Sequence, residues 1–340
     1  MSDTPTIALD AMGGDIGASV VVSAAVHAIS KNDNLRLILV GDEDTIRQEL
    51  KNNKADVSDR LLIKHASQKV EMDELPSRAL RGKKDSSMRV AINLVKEGEA
   101  DATVSAGNTG ALMATARFVL KTLPGIDRPA ICSLMPTTSG KTHMLDLGAN
   151  VDTSAENLLE FAVMGSVLVN AIHNIEAPTV GLLNIGAEEI KGNERVKEAA
   201  RLLSDSDLNY IGFVEGDDIY HGKANVIVCD GFIGNVALKS SEGVAKMIIH
   251  FLRSSFKHNI YSKLIGLLAM PVLYRFKKSV DPRRYNGASL LGLQGTVVKS
   301  HGGADSLAFY TAIQHAMIAI QENVPARISQ HLETHLTSKA

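Results

Sequence analysis

The stretch Thr6-Ile7-Ala8-Leu9-Asp10-Ala11-Met12-Gly13-Gly14-Asp15 is a short apolar segment that ends in a glycine corner between two acids. Glycines let backbone amides approach an anion closely, and a helix predicted from about Gly17 adds the positive end of its dipole. The same residues also suit a tight strand-to-helix turn with Asp15 as its N-cap. Two interpretations therefore stay open: a capped turn, or an anion site formed by Asp10, Gly13, Gly14 and Asp15.

Similar apolar runs recur along the chain and alternate with helical patterns. They lie at residues 6–9, 36–40, 61–65, 102–105, 130–135, 144–147, 180–184, 210–214 and 226–229. Such alternation builds parallel strands with crossover helices, and uniformly apolar strands are typical of a sheet that is covered on both faces. No repeat or flexible linker interrupts the pattern. The sequence predicts one α/β domain over residues 1–340.

Most of the predicted strands end in small or polar residues that begin the next helix. In open α/β sheets, ligands bind beyond the carboxyl ends of the strands. We therefore expect these loops to meet on one rim of the sheet and to carry the chemistry there.

The loop that starts at Ser105 brings several donors together before an apolar helix. Hydroxyl, amide and backbone groups suit a phosphate or an oxyanion, and the alternative is a capped strand-to-helix turn. The candidate residues of this loop are Ser105, Gly107, Asn108 and Thr109.

Three later loops have similar compositions. Lys191 lies in a glycine-rich segment after Asn184, where a positive charge can hold a phosphoryl group, although a solvated helix start is the alternative. Two other strands each end in an acid and an amide, and these pairs are Asp146 with Asn150 and Asp230 with Asn235.

Several well-known signatures are missing from the sequence. The segments around Gly13 and Gly107 contain no complete G-x-G-x-x-G, no G-x-x-x-x-G-K-[ST] occurs, and Ser105 lacks the G-x-S-x-G context of an α/β-hydrolase nucleophile. His331 and His335 are four residues apart but do not form a zinc-protease motif. The sequence predicts neither a metal site nor a cofactor.

Composition narrows the classes of partner. The 36 basic and 38 acidic residues give a net charge of −2, so the chain as a whole does not favour nucleic acid. Cys132 and Cys229 lie in apolar runs without metal or redox spacing, and residues 1–5 do not resemble a signal peptide. We expect a cytoplasmic protein with reduced thiols.

Residues 244–278 are predicted to form a long helix, a break near Pro271 and a second short helix. Apolar residues keep helical spacing, whereas basic residues, among them Arg253 and Lys257, surround them. This pattern is typical of a projecting amphipathic hairpin. It favours either a dimer or core contact, or contact with anionic lipid and with an acidic protein surface. The residues predicted to make the latter contact are Arg253, Lys257, Leu264, Leu267 and Leu268.

Taken together, the motifs resemble the bacterial phosphate acyltransferase family of phospholipid synthesis. The resemblance extends from about Ile7 to Ile328 with the motifs in order. They are Asp10–Asp15, Ser105–Ala111, Asp127–Ala130, Asp146–Asn150, Asn184–Gly186, Asp230–Val236 and Gly295–Gly302. Many members have His-Ala-Pro after Gly-Gly-Asp, where this chain has Ile16-Gly17-Ala18, so no role is carried over for a histidine there.

The resemblance implies a reaction, a fold and partners. The family makes acyl phosphate from acyl-acyl carrier protein and inorganic phosphate, and its product feeds a glycerol-3-phosphate acyltransferase. It implies a Rossmann-like three-layer αβα sandwich related to phosphotransacetylases, and a homodimer that associates peripherally with the inner face of the cell membrane.

Phosphate is itself a nucleophile, so this reaction needs no covalent enzyme intermediate. We assign phosphate binding to the loops after Leu9 and Val104 together with Lys191. Asn108, Asn184 or His301 would stabilise the oxyanion, where one well-placed donor is worth roughly 3 kcal/mol. Two alternatives are a phosphotransacetylase-like enzyme that acts on short acyl-coenzyme A and a non-catalytic scaffold for lipid enzymes.

Overall fold

The structure, a computed structural model, describes residues 4–337, without the side chains of residues 277–280 and 334–337. Its strands are β1 Thr6–Asp10, β2 Arg36–Gly41, β3 Leu61–His65, β4 Ala102–Ser105, β5 Ala130–Thr137, β6 Gly140–Leu145, β7 Val180–Leu183, β8 Tyr210–Val214, β9 Val226–Val228, β10 Ala288–Leu291 and β11 Thr296–Lys299.

Helices connect these strands, and a 3-10 turn, Pro282–Tyr285, precedes β10. The α-helices are α1 Ala18–Lys31, α2 Glu43–Asn52, α3 Pro76–Gly82, α4 Ser87–Lys96, α5 Thr109–Leu120, α6 Ala155–His173, α7 Glu194–Ser204, α8 Asp218–His221, α9 Gly231–Lys257, α10 Ile260–Leu268, α11 Met270–Val280, α12 Ser306–Gln321 and α13 Val324–Thr337.

All eleven strands belong to one sheet, in the order β3-β2-β1-β4-β11-β10-β5-β6-β9-β7-β8. Most neighbouring pairs are parallel, which confirms the predicted α/β fold with a mostly parallel sheet. Strand β10 is antiparallel to both β11 and β5, and β6 is antiparallel to β5. Strands β6 to β9 therefore run opposite to β1 to β4 and β11.

This reversal overturns the expectation that all candidate loops share one rim. The carboxyl ends of β1, β4 and β11 point to one rim of the sheet, whereas those of β6, β7 and β9 point to the opposite rim. The cause is the tight connection at Thr138-Ser139, which folds β6 back onto β5 where the sequence pattern suggested another parallel strand.

Each half of the sheet has its own core. Phe309 of α12 and the apolar face of α1 fill the core beside β1, β2 and β4. Phe161 of α6 is buried among residues of β6, β7 and β9. Among the described helices, α6 is long and apolar enough to cross a membrane, but most of it is buried in this core, as in the interior helix of a globular protein. A third cluster, under α4 and α5, joins the two halves.

The predicted hairpin consists of α9, α10 and α11. Helix α9 begins at Gly231 rather than near residue 244, and it buries only Gly231 and Gly234, whereas α10 buries none of its residues. The chain turns first at His258-Asn259, where Asn259 caps α10, and again just before Pro271. The predicted break near Pro271 is confirmed. The turn at His258-Asn259 was missed, because the apolar stripe continues at helical spacing past Asn259. The side chains of Lys277 and Lys278, two further basic residues of this segment, lie outside the described part of the structure.

Candidate active site

The first group of candidate residues lies at the carboxyl ends of β1, β4 and β11. Asp10, Ser105 and Lys299 are the last residues of these strands and are aligned in register across them. Parallel pairing thus places a carboxylate, a hydroxyl and an ammonium group side by side in a buried position. We call these three residues and Ser87 the Asp10 cluster.

Asp10 is 1% exposed and accepts hydrogen bonds on both carboxylate oxygens. The hydroxyls of Ser87 and Ser105 each donate to it at 2.6 Å, and the amides of Met12 and Gly13 also face it. Burial raises the pKa of Asp10 above its usual value, and these hydrogen bonds oppose the shift. The corner at residues 12 and 13 therefore stabilises the chain's own carboxylate.

Two glycines make this close packing around Asp10 possible. A Cβ atom at Gly13 would lie 2.5 Å from Asp10 Oδ2 and 2.8 Å from the amide nitrogen of Gly107. A Cβ atom at Gly107 would lie 2.7 Å from the Met88 side chain. Both positions require glycine for lack of space, so both contribute to the shape of the site.

Lys299 is a member of the cluster that the sequence analysis did not select. Its ammonium group is buried and donates to the carbonyls of Ala106, at 3.2 Å, and Ser300. Burial lowers the pKa of Lys299 to about 8, and the negative charges of Asp10 and Asp15 oppose this shift. The signal available in the sequence was its position at the end of a Val-Val run within the Gly295–Gly302 motif.

Asp15, Gly14 and His301 lie at the surface of this group. The N-cap of α1 is Gly17, with no side-chain cap, so Asp15 does not cap the helix; instead its amide donates to the Gly302 carbonyl at 2.9 Å. Gly14 has a φ of 92°, which favours glycine. The exposed His301 ring accepts from the Gly303 amide at 3.0 Å through Nδ1, so the neutral ring carries its proton on Nε2.

Asn108 and Thr109 form the start of α5. The Asn108 carbonyl oxygen accepts from the Ala111 amide at 2.9 Å, and its NH₂ group donates to the carbonyls of Met72 and Glu74 at 2.8 and 2.9 Å. Asn108 is thus a helix cap that also holds the 71–75 loop, so its action on an oxyanion would require releasing one of these bonds. Thr109 lies exposed at the first position of the helix.

The second group lies beyond β6, β7 and β9. Asp146 is fully buried and accepts from the amides of Ile131, Ala149 and Asn150 at 2.7–3.0 Å. The Asn150 side chain donates to Asp146 and to the Pro129 carbonyl. Burial raises the pKa of Asp146, and these hydrogen bonds oppose the shift. As with Asp10, a buried acid fixes the loop that follows its strand.

Asp230 caps α9 and forms an ion pair that the sequence analysis missed. One carboxylate oxygen accepts from the Ile233 amide at 2.8 Å, and the other pairs with Arg195 Nη2 at 2.7 Å. The Asn235 side chain lies one turn further along α9, against Gly148. Asp230, Asn235, Asp146 and Asn150 are thus brought together, and with Arg195 we call them the Asp230 cluster.

Asn184 and Lys191 lie in the neighbouring loop after β7. The Asn184 NH₂ group donates to the carbonyls of Gly186 and Lys191 at 3.2 and 3.1 Å. The Lys191 ammonium is exposed and pairs with Glu188 at 2.9 Å, and this acid raises its pKa. Lys191 is therefore a charged side chain that solvent can reach at this end of the sheet.

Comparison with known proteins shows the class of fold to which this chain belongs. A phosphotransacetylase from Streptococcus pyogenes superposes with a TM-score of 0.63 over 95% of both chains at 20% identity, which shows the same fold. A protein-family model described as "Fatty acid synthesis protein" matches residues 5–327.

Relatives that cover the whole chain identify the family. A protein from Nitrosococcus oceani named phosphate acyltransferase is 64% identical over 332 residues, 98% of each chain. Another of that name from Alkalilimnicola ehrlichii is 61% identical over all of this chain and 99% of its own. The chain belongs to the phosphate acyltransferase family and is an acyl-transferring enzyme, as the motifs predicted.

Proposed function

We propose that the enzyme transfers a fatty acyl group from acyl-acyl carrier protein to inorganic phosphate, forming acyl phosphate and free carrier protein. The observation that carries the proposal is near-complete coverage by relatives named phosphate acyltransferase at 61–64% identity. Phosphate, the acyl acceptor, needs hydrogen-bond donors, and polar loops at the ends of six strands supply them. A phosphate oxygen attacks the thioester carbon, and the thiolate of the carrier leaves and takes up a proton.

In this proposal, some polar loops bind phosphate and others stabilise the oxyanion. The loops after β1 and β4 lie at the opposite rim of the sheet from Lys191, so the two parts of the predicted phosphate site belong to separate groups. Phosphate would bind at one of them, either at the loops after β1 and β4 or beside Lys191. The oxyanion donor would be Asn108 or His301 in the first case and Asn184 in the second. Because Nδ1 of His301 accepts from the Gly303 amide, the neutral ring carries its proton on Nε2 and can donate from there. Asp10, Ser105, Asp146 and Asp230 are buried and hydrogen-bonded, so they would act by fixing the loops rather than by contacting phosphate.

The carrier protein and the membrane are assigned to the hairpin. Leu264, Leu267 and Leu268 are 56%, 67% and 82% exposed, and the exposed basic residues Arg253 and Lys257 lie on the preceding helix. Apolar side chains beside cations suit anionic lipid or an acidic protein surface. We propose a peripheral enzyme at the cytoplasmic face of the membrane, with hairpins paired in a homodimer and a product consumed by a glycerol-3-phosphate acyltransferase.

The donor is tested by comparing thioesters of different length and carrier. Purified enzyme with saturating phosphate should release thiol from palmitoyl-acyl carrier protein with a kcat/KM at least about tenfold above that for acetyl-coenzyme A, since a long chain and a protein carrier add binding surface. A preference for acetyl-coenzyme A would instead identify a phosphotransacetylase-like enzyme. Binding of liposomes without thiol release from either donor would identify a scaffold.

A further inference from the structure

We propose that Arg195 is a positioning residue for phosphate: it holds the loops of the Asp230 cluster in place and neutralises the Asp230 carboxylate beside them. This inference rests on the proposed acyl transfer with phosphate bound beside Lys191, and it names the residue that organises that end of the sheet. Arg195 is the second residue of α7, shortly after the loop that carries Lys191.

One guanidinium group connects segments that follow three neighbouring strands. Arg195 itself follows β7, its Nη2 donates to Asp230 after β9 at 2.7 Å, and its Nη1 donates to the Thr153 carbonyl after β6 at 3.2 Å. A planar fork can satisfy two acceptors in different directions at once, which a lysine cannot do with the same geometry.

The connection extends through the rest of the cluster. Asp230 caps the first turn of α9, the Gly231 amide donates to the Asn150 carbonyl at 2.9 Å, and the Asn150 amide donates to Asp146 at 2.7 Å. A Cβ atom at Gly231 would lie 2.5 Å from that carbonyl, so the segments have no spare room. Movement of Asp230 would therefore displace Asn150 and Asn235 together.

The positive charge of Arg195 also offsets the negative charge of Asp230. Asp230 is 5% exposed, and a buried carboxylate without a counter-charge would repel a phosphate anion bound nearby. Arg195 cancels this charge, although its own Nε is buried without a hydrogen-bond partner in the described structure. Arg195 thus places a compensating positive charge directly at Asp230.

Arg195→Met, Arg195→Lys and the double variant Arg195→Met/Asp230→Asn test the proposal. The readouts are KM for phosphate and kcat with saturating palmitoyl-acyl carrier protein, together with the urea midpoint. Arg201→Met is the matched control, because Arg201 lies on the same helix and is also ion-paired, with Glu198 and Asp205, but is exposed and away from these loops.

Arg195→Met should raise KM for phosphate by about tenfold or more, because its loss leaves a buried charge unpaired. Arg195→Lys should give a smaller rise, and removing the Asp230 charge in the double variant should recover most of the loss. Arg201→Met should behave as wild type. A folded Arg195→Met with unchanged KM, or a double variant no better than the single, would overturn the inference.

If Arg195→Met fails to fold, Arg195→Lys decides the question. It keeps the charge but not the two-way fork, so a wild-type KM for phosphate in this variant would overturn the inference and a raised one supports it. A wild-type enzyme that forms no acyl phosphate overturns the proposed function and this inference together. An active wild type with unaffected variants overturns the inference alone.

Discussion

At the scale of single residues, buried acids shape both groups of loops. Asp10 and Asp146 each lie at the end of a strand, in opposite halves of the sheet, and each accepts several hydrogen bonds from the segments around it. Because those carboxylates are saturated by the protein, we propose that side chains such as Lys191 or His301 contact the substrate instead.

One buried histidine, His143, and two half-buried ones near it give the fold a definite pH dependence. His143 and His173 have their Nε2 atoms 3.0 Å apart, and His315 lies nearby on α12. Burial lowers the pKa of all three, and with the neighbouring His173 it lowers that of His143 to about 3. In the unfolded chain a histidine binds a proton below about pH 6.5, so between these values the unfolded state binds more protons.

The free energy of unfolding should therefore fall as the pH is lowered below 6.5, and His143 alone should account for about 2 kcal/mol between pH 7.5 and 5. Urea denaturation at the two pH values measures this loss, and His143→Asn should reduce it by that amount. His258→Gln, an exposed histidine of the hairpin, is the control and should leave the loss unchanged. An equal loss in wild type and His143→Asn would contradict the assignment.

At the scale of elements, the first turn of α9 is packed into the body of the fold, and most of the remaining helix is exposed. A Cβ atom at Gly234 would overlap the Asp146 carbonyl oxygen, whereas one at Gly243 would meet nothing within 4 Å. Gly234→Ala should lower the free energy of unfolding by about 1–3 kcal/mol through overpacking. Gly243→Ala should raise it by up to about 1 kcal/mol through helix propensity. Urea midpoints of the two variants compare the sites directly, and equal shifts would contradict this packing.

A separate prediction concerns the exposed leucines of α10 in the hairpin. Replacing Leu264, Leu267 and Leu268 with serine should abolish flotation with anionic vesicles, because burying each leucine is worth about 1.5–3 kcal/mol. The matched control replaces three exposed apolar residues of the body, Val57, Leu75 and Phe118, and should float as wild type. Flotation of the leucine variant equal to wild type would exclude the hairpin as the membrane contact.

The elements also show what a sequence pattern can and cannot specify. Nine predicted strands are present, because continuous apolar runs mark buried strands well. Strands β10 and β11 were missed, because they follow the hairpin as a strand pair instead of alternating with helices. Asn259 ends α9 within an apolar stripe that continues past it, so periodicity alone could not locate that turn.

At the scale of the whole molecule, strand direction was the feature that the sequence did not reveal. An apolar run looks the same in either direction, so only the structure shows that β6 to β9 are reversed. The same reversal places the candidate loops at opposite rims of the sheet. Hydrogen-bond partners were equally hidden: Asn108 and Asp230 suggested substrate contacts, and the structure shows both as helix caps. Lys299 and Arg195 were not selected, although each lies near glycines, because only the structure shows that one is buried beside Asp10 and the other pairs with Asp230.

The central claim is acyl transfer to phosphate, and trapping of the product tests it most directly. Purified enzyme incubated with palmitoyl-acyl carrier protein and phosphate, then treated with hydroxylamine, should yield palmitoyl hydroxamate in proportion to the carrier thiol released. The yield should depend on added phosphate and fall to the uncatalysed background without it. Thiol release that is independent of phosphate, or no hydroxamate above background, would contradict the account.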